Sequence, residues 1–242
     1  YLGYGSTQND SLYHPYIHHG LTASTCYNMF RAAEEYMTTT KLEKTGDDIR
    51  LFGYSQGGAA TISTLMEMEE EGLGPRIKDV RVGGCPFDLN VFFNKYSADT
   101  NVVYSEPAYI LMLTRGLFYG DNLLDSIDWH DILADSMFVR NMWYDNKSVF
   151  DHFPDYNIKD MNRKLDTLCG KKMGYIYNKT GFDKTATPEN EFKGNRSWMT
   201  FYEELQKHSL VKMQKPRTPI KVYHCVIDPK VPRECGDLGA EW

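Results

Sequence analysis

Between residues 22 and 37 the chain reads "TASTCYNMFRAAEEYM", in which Cys26, Met29, Phe30, Ala33 and Met37 recur at three- and four-residue intervals. That period predicts an amphipathic helix, with Thr22 or Ser24 placed to cap its start. After the turn signal "KTGDD", the run "IRLFG" reads as a short buried strand. "QGGAATISTLMEMEEEG" follows, rich in helix formers and ending at Gly72. "IKDVRVGG" alternates weakly and closes on two glycines, as a second strand would. After Pro219, "IKVYHCVID" has the β-branched, half-alternating pattern of a third strand running into a polar loop. Helix, strand, helix and strand in this order predict right-handed crossovers and an α/β fold with a mostly parallel sheet.

Residues 86–207, between the second and third strands, are helix-like and rich in tyrosine, methionine and tryptophan. The clearest pattern there is "SWMTFYEEL", with Trp198, Phe201, Tyr202 and Leu205 on one helical face. The stretch is too long for a connecting loop and reads as a helical cap inserted over one edge of the sheet. The expected organisation is a core of residues 1–85, a cap of 86–207, and a return to the core over 208–242.

The chain has 242 residues, of which 41% are hydrophobic, enough to bury a sizeable core. The formal net charge of −6 leaves no basic face for a polyanion, so nucleic acid is not an expected partner. Apolar runs such as "YILML" at 109–113 fall far short of the roughly 18 residues a membrane-spanning helix needs, so no transmembrane segment is expected. The five cysteines have irregular spacing, without C-x-x-C or zinc-finger intervals. The sequons at Asn146, Asn178 and Asn195 would accept glycans only on a eukaryotic secretory route.

The candidate chemistry lies where the first strand meets the next helix. Gly53, Tyr54, Ser55, Gln56 and Gly57 form Gly-x-Ser-x-Gly, the pattern of a nucleophile held on a sharp strand-to-helix turn. In such an elbow the flanking glycines avoid clashes, the serine hydroxyl is lifted clear of the sheet, and the amide of Gln56 faces a bound carbonyl oxygen. The competing reading is a helix N-terminus that uses serine and glycine for their turn preferences. Asp228 lies just past the third strand, on the sheet edge where α/β folds place ligands; read alone, it is equally a turn former before Pro229.

Several stretches, in order, resemble the secretory lipases, the lipase A-like branch of the α/β-hydrolases: "YLGYGST", "HPY", "FRAAEEYM", "LFGYSQGG", "GGCPFDL" and "TPIKVYHCVIDPKVP". The resemblance covers most of the chain outside the cap. It implies that Ser55 is the nucleophile, Asp228 the triad acid and Gln56 one oxyanion donor, in a secreted or periplasmic hydrolase of small-molecule or lipid esters. It implies no cofactor and no metal. The same elbow also serves esterases of polysaccharide acyl groups, serine peptidases and non-catalytic binding modules.

The chain's main departure from the family is that the fold orders its triad Ser, Asp, His, and no histidine follows Asp228. Of the seven histidines, His224 lies in the third strand at a position that is not the base. His208 belongs to the connection from the cap, and His130 and His152 read as partly exposed cap residues. His14, His18 and His19 flank "PYI", where Pro15 breaks the helical face that a zinc pair would need. No strand precedes "YLGYG" either, and no secretion signal opens the chain. The expectation is therefore an internal piece of a longer secreted hydrolase, with the histidine beyond residue 242.

Overall fold

A computed structural model describes residues 14–42, 46–139, 143–144, 147–148, 158–178 and 195–242. The expectations placed on "YLGYGST", Asn146 and His152 fall outside them. The described residues group into two compact units: the segment Ile17–Asp88 with His208–Trp242, and the segment Leu89–Lys207 with residues up to Tyr16. No described helix is long and apolar enough to cross a membrane.

The first unit opens with helix α1, His19–Thr39. It starts earlier than Thr22 or Ser24 would place it, because His18 is the N-cap and its Nδ1 accepts from the Leu21 amide at 3.2 Å. The buried face also differs from the expected apolar stripe. His19, Thr22, Ala23 and Tyr27 point inward, with Phe30 packed beside them, while Met29 is 69% exposed. Polar anchors set that rotation: Ser63 Oγ meets His19 Nδ1 at 2.8 Å and Tyr27 Oη reaches Glu71 at 3.4 Å. A hydrophobic pattern does not register such bonds.

Strand β1, Ile49–Tyr54, leads directly into helix α2, Gln56–Glu70, and the chain turns out at Gly72 with φ +81°. Strand β2, Ile77–Gly83, pairs parallel with β1, Gly53 opposite Val82 and Tyr54 opposite Gly83. α1 and α2 bury Tyr27, Leu65 and Met68 against Ile49, Ile77 and Val80 of the strands. Each such side chain contributes about 1.5–3 kcal/mol when removed from water.

The second unit is helical. It holds α3 (Leu89–Ser97), α4 (Pro107–Gly120), α5 (Trp129–Ile132), α6 (Asp135–Val139), a short antiparallel pair β3 (Trp143–Tyr144) and β4 (Lys147–Ser148), α7 (Ile158–Cys169) and α8 (Arg196–Lys207). Pro107 fits the first turn of α4, where its missing amide would be unpaired anyway, and Asn162 of α7 accepts from the Ala108 amide at 2.9 Å. α8 buries Trp198, Phe201 and Leu205 as its period predicts, with Tyr202 half-buried. Phe201 meets Phe93 edge-on at 4.9 Å, and Phe93 meets Tyr177 at 5.0 Å. Burial raises the Tyr177 hydroxyl pKa, and its bond to Thr114 Oγ1 at 2.7 Å only partly offsets that. This unit's core is therefore aromatic packing among its own helices.

The chain returns to the first unit through β5 (Lys221–Tyr223) and helix α9 (Arg233–Glu241). β5 pairs parallel with β2, giving the order β1-β2-β5. It is much shorter than "IKVYHCVID" suggests, because at His224 the chain leaves the ladder for a hydrogen-bonded loop. Glu69 of α2 secures the approach to β5, accepting from the Arg217 and Thr218 amides at 2.8 and 2.7 Å. β1 is also not buried on both faces: Ile49 and Leu51 turn toward the helices, while Phe52 is 59% and Tyr54 68% exposed. Arg81 of β2 lies 5.8 Å over the Phe52 ring, and Asp79 accepts from Arg81 at 2.7 Å and from Lys221 at 3.2 Å.

Candidate active site

Ser55 is the single residue between β1 and α2, with φ 55° and ψ −124°. A side chain at positive φ is strained and persists only where its surroundings impose it. Here its amide donates to Gly83 O of β2 at 2.8 Å, and its carbonyl accepts from the Gly58 and Ala59 amides at 2.9 and 3.3 Å. A capping serine has extended backbone and bonds its hydroxyl to the first helical turn. Ser55 has neither feature, since its side chain makes no cap bond to α2. The turn-former reading of this serine therefore does not fit its geometry.

The two glycines of the motif differ. A Cβ on Gly53 would collide with Gly57 O and Thr61 Oγ1, so β1 and α2 approach closely only because that residue is glycine. A Cβ on Gly57 meets nothing within 4 Å. The expectation that both flanking glycines avoid a clash thus holds for Gly53 and is corrected for Gly57. Gln56 is the half-buried first residue of α2, at the N-terminal end of that helix. Tyr54 lays its ring over β2, within 3.0 and 3.1 Å of where side chains would start on Gly83 and Gly84.

Asp228 follows β5 at the same carboxyl edge of the sheet. Its Oδ1 accepts from the Lys230 amide at 2.8 Å and the Val231 amide at 3.1 Å, and its own amide donates to Cys225 O at 3.2 Å. Asp228 is thus the turn former that its neighbour Pro229 suggests, and one oxygen is committed to that work. The other, Oδ2, lies beside Gly84, 3.2 Å from the Cβ position there. Gly84 has φ +52° and donates its amide to Tyr223 O at 2.9 Å. With β2 between them, β1 and β5 stand two strand spacings apart, about 9.5 Å. Ser55 directly follows β1 and Asp228 lies in the loop after β5, so both sit at the carboxyl edge of this sheet.

The four described histidines of this unit are engaged elsewhere. His18, His19 and His208 form a buried cluster, with the His18 and His208 rings 4.1 Å apart. The His19 amide donates to His208 Nδ1 at 3.3 Å. Ser63 Oγ donates to Ala59 O at 2.8 Å, so it accepts from His19, whose Nδ1 carries the hydrogen. Burial, with His208 and His18 alongside, lowers the His19 pKa to about 3. Sequence reasoning missed this cluster because no local pattern links His19 to a residue 189 positions away. His224 reaches Val231 O with Nε2 at 3.1 Å. A cleft lined by Arg217, Pro219, Ile220 and Trp242 opens beside the segment entering β5, at the far end of that strand from Asp228.

No protein-family model matches the chain, and no curated protein matches it in sequence. Solved structures do match. The rice cell wall degrading esterase LipA from Xanthomonas oryzae superposes with TM-score 0.70 at 21% identity, over 95% of this chain and 56% of LipA. A putative hydrolase from Legionella pneumophila gives TM-score 0.70 at 17% identity, over 100% of this chain and 58% of that protein. Candida antarctica lipase A in its closed state gives 0.59 at 15% identity, over 93% of this chain and 46% of the lipase. The chain thus spans about half the length of the solved structures it matches. Its parallel sheet and helices share the α/β fold of these esterase, hydrolase and lipase structures.

Proposed function

We propose that this chain carries the nucleophile and acid of a serine carboxylic-ester hydrolase. The observation that supports it most is Ser55 itself: a non-glycine residue at φ 55°, between strand and helix, whose hydroxyl is not spent on capping. Asp228, with Oδ2 turned toward Gly84 just past the intervening strand, supplies the matching carboxylate.

In this reading Ser55 Oγ attacks the ester carbonyl carbon while an imidazole between the two side chains takes its proton. Asp228 orients that imidazole and stabilises its charged form. The alcohol leaves with the proton, and water then attacks the acyl-enzyme to release the acid and restore Ser55. The Gln56 amide, at the positive end of α2, holds the oxyanion.

The test is a fluorophosphonate probe followed by peptide mapping. Labelling at Ser55, abolished in Ser55→Ala together with p-nitrophenyl ester hydrolysis, is the expected result; turnover surviving in Ser55→Ala rejects the assignment. In the full-length protein, a folded sample whose Ser55 stays unlabelled is instead a hydrolase-like binding module. A panel of short-acyl, long-acyl and acetylated polysaccharide substrates then fixes the ester class.

A further inference from the structure

The loop that presents Asp228 has little packing of its own. Between His224 and Val231, Cys225, Pro229 and Lys230 are exposed, Val226 is 68% exposed and Ile227 84%. Apolar burial begins again only at Val231. The shape of the loop therefore rests on hydrogen bonds, and two of them meet at one residue. The Val231 amide donates to Asp228 Oδ1 at 3.1 Å, and the Val231 carbonyl pairs with His224 Nε2 at 3.1 Å.

A carbonyl can only accept, so His224 Nε2 carries the hydrogen and Nδ1 the lone pair. Nδ1 is buried and makes no hydrogen bond among the described residues. Leaving a buried acceptor unpaired costs stability, a cost that packing by an apolar side chain of similar shape would avoid. The ring is also wedged against α9: a Cβ on Gly236 would stand 2.6 Å from its Cγ and Nδ1. With β5 behind it and α9 beside it, the imidazole is a fixed post from which a single N–H reaches across the loop.

We propose that His224 is the positioning residue for Asp228: its Nε2–H fixes the Val231 peptide, that peptide holds Oδ1, and Oδ2 is thereby kept on the Gly84 side. The catalytic consequence rests on the hydrolase reading above; the geometric one does not. Without the post, the carboxylate keeps its charge but loses its aim, and misplacement of a group that must align in the transition state lowers turnover rather than substrate binding.

The experiment compares the full chain with His224→Leu, which removes the donor, and His224→Gln, which keeps an N–H at similar reach. His224→Asn, whose amide is too short to reach Val231, replaces the leucine variant if that one fails to fold. Amide resonances of Lys230 and Val231 are followed between about pH 2.5 and 6, across the carboxyl range, with Asp228→Asn identifying the movement due to Asp228. Both resonances are expected to titrate together in the parent and in His224→Gln, and the Val231 movement to fall to less than about half in His224→Leu as its contact with Oδ1 is lost. Phosphonate labelling of Ser55 is expected to slow roughly 10-fold in His224→Leu, with recovery in His224→Gln and KM for an ester unchanged. A Val231 titration unaltered in His224→Leu overturns the proposal. The labelling arm uses the full-length protein, where a parent whose Ser55 never labels removes the hydrolase reading, while the amide titration still decides the role of His224.

Discussion

Asp228 reaches Gly84, the residue just past the neighbouring strand β2: a Cβ on Gly84 would stand 3.2 Å from Asp228 Oδ2 and 3.1 Å from the Tyr54 ring. Gly84 is also left-handed, at φ +52°. In Gly84→Ala the backbone strain and the crowded carboxylate act together, costing about 1–3 kcal/mol. Thermal melts are expected to show the loss, and Ser55 labelling to slow because Oδ2 is displaced. Gly57→Ala is the contrasting variant. Its Cβ enters open space at the start of α2, so it is expected to gain about 0.5–1 kcal/mol, read from the urea midpoint.

Ser55→Gly separates stability from chemistry. Glycine tolerates φ 55° without the steric cost a serine carries there, so the urea midpoint is expected to rise, reflecting a gain of about 1 kcal/mol in stability. The same variant removes the hydroxyl and all probe labelling. A glycine variant less stable than the parent would show that Ser55 is not held under strain.

Acid is expected to weaken the first unit through His19. Its folded pKa, about 3, lies below the ordinary value of 6.5, so the unfolded chain binds the proton more readily than the folded one. The stabilising difference is therefore fully present above pH 6.5 and is lost as pH falls from there toward 3. Urea midpoints measured down this range are expected to decline in the parent and to decline less steeply in His19→Leu.

Glu69 acts in a lower window. Burial raises its pKa, but hydrogen bonds from Thr218 and Arg217 outweigh that and hold it below 4.5. Its contribution is thus present above that value and lost as pH falls through the lowered one. Glu69→Ala, which frees the segment entering β5, is expected to cost about 1–2 kcal/mol near neutrality and progressively less in acid, as calorimetry against pH would show.

Much of the architecture is legible along the chain because it rests on short-range preferences. β1, α2, β2 and α8 lie close to where hydrophobic period, helix formers and glycine stops place them. The tight turn at Ser55 is signalled by the Gly53-x-Ser55 spacing between a predicted strand and a predicted helix, whereas the hydrogen bond to Gly83 that holds it has no local signature. The segment 86–207 reads as helical from the same short-range preferences.

Other features arise from contacts between distant residues, which carry no local signature. α1 presents Tyr27 rather than Met29 to the core because Ser63 and Glu71 pull that face inward. β5 stops at Tyr223 because His224 bonds forward to Val231. His18, His19 and His208 become neighbours only when α1 meets the chain at His208. Local spacing marks Ser55 as a candidate nucleophile, but which oxygen of Asp228 faces Gly84 depends on β2 pairing with β5. Backbone preferences act over a few residues, whereas the environment of a side chain is set by whatever packing brings against it.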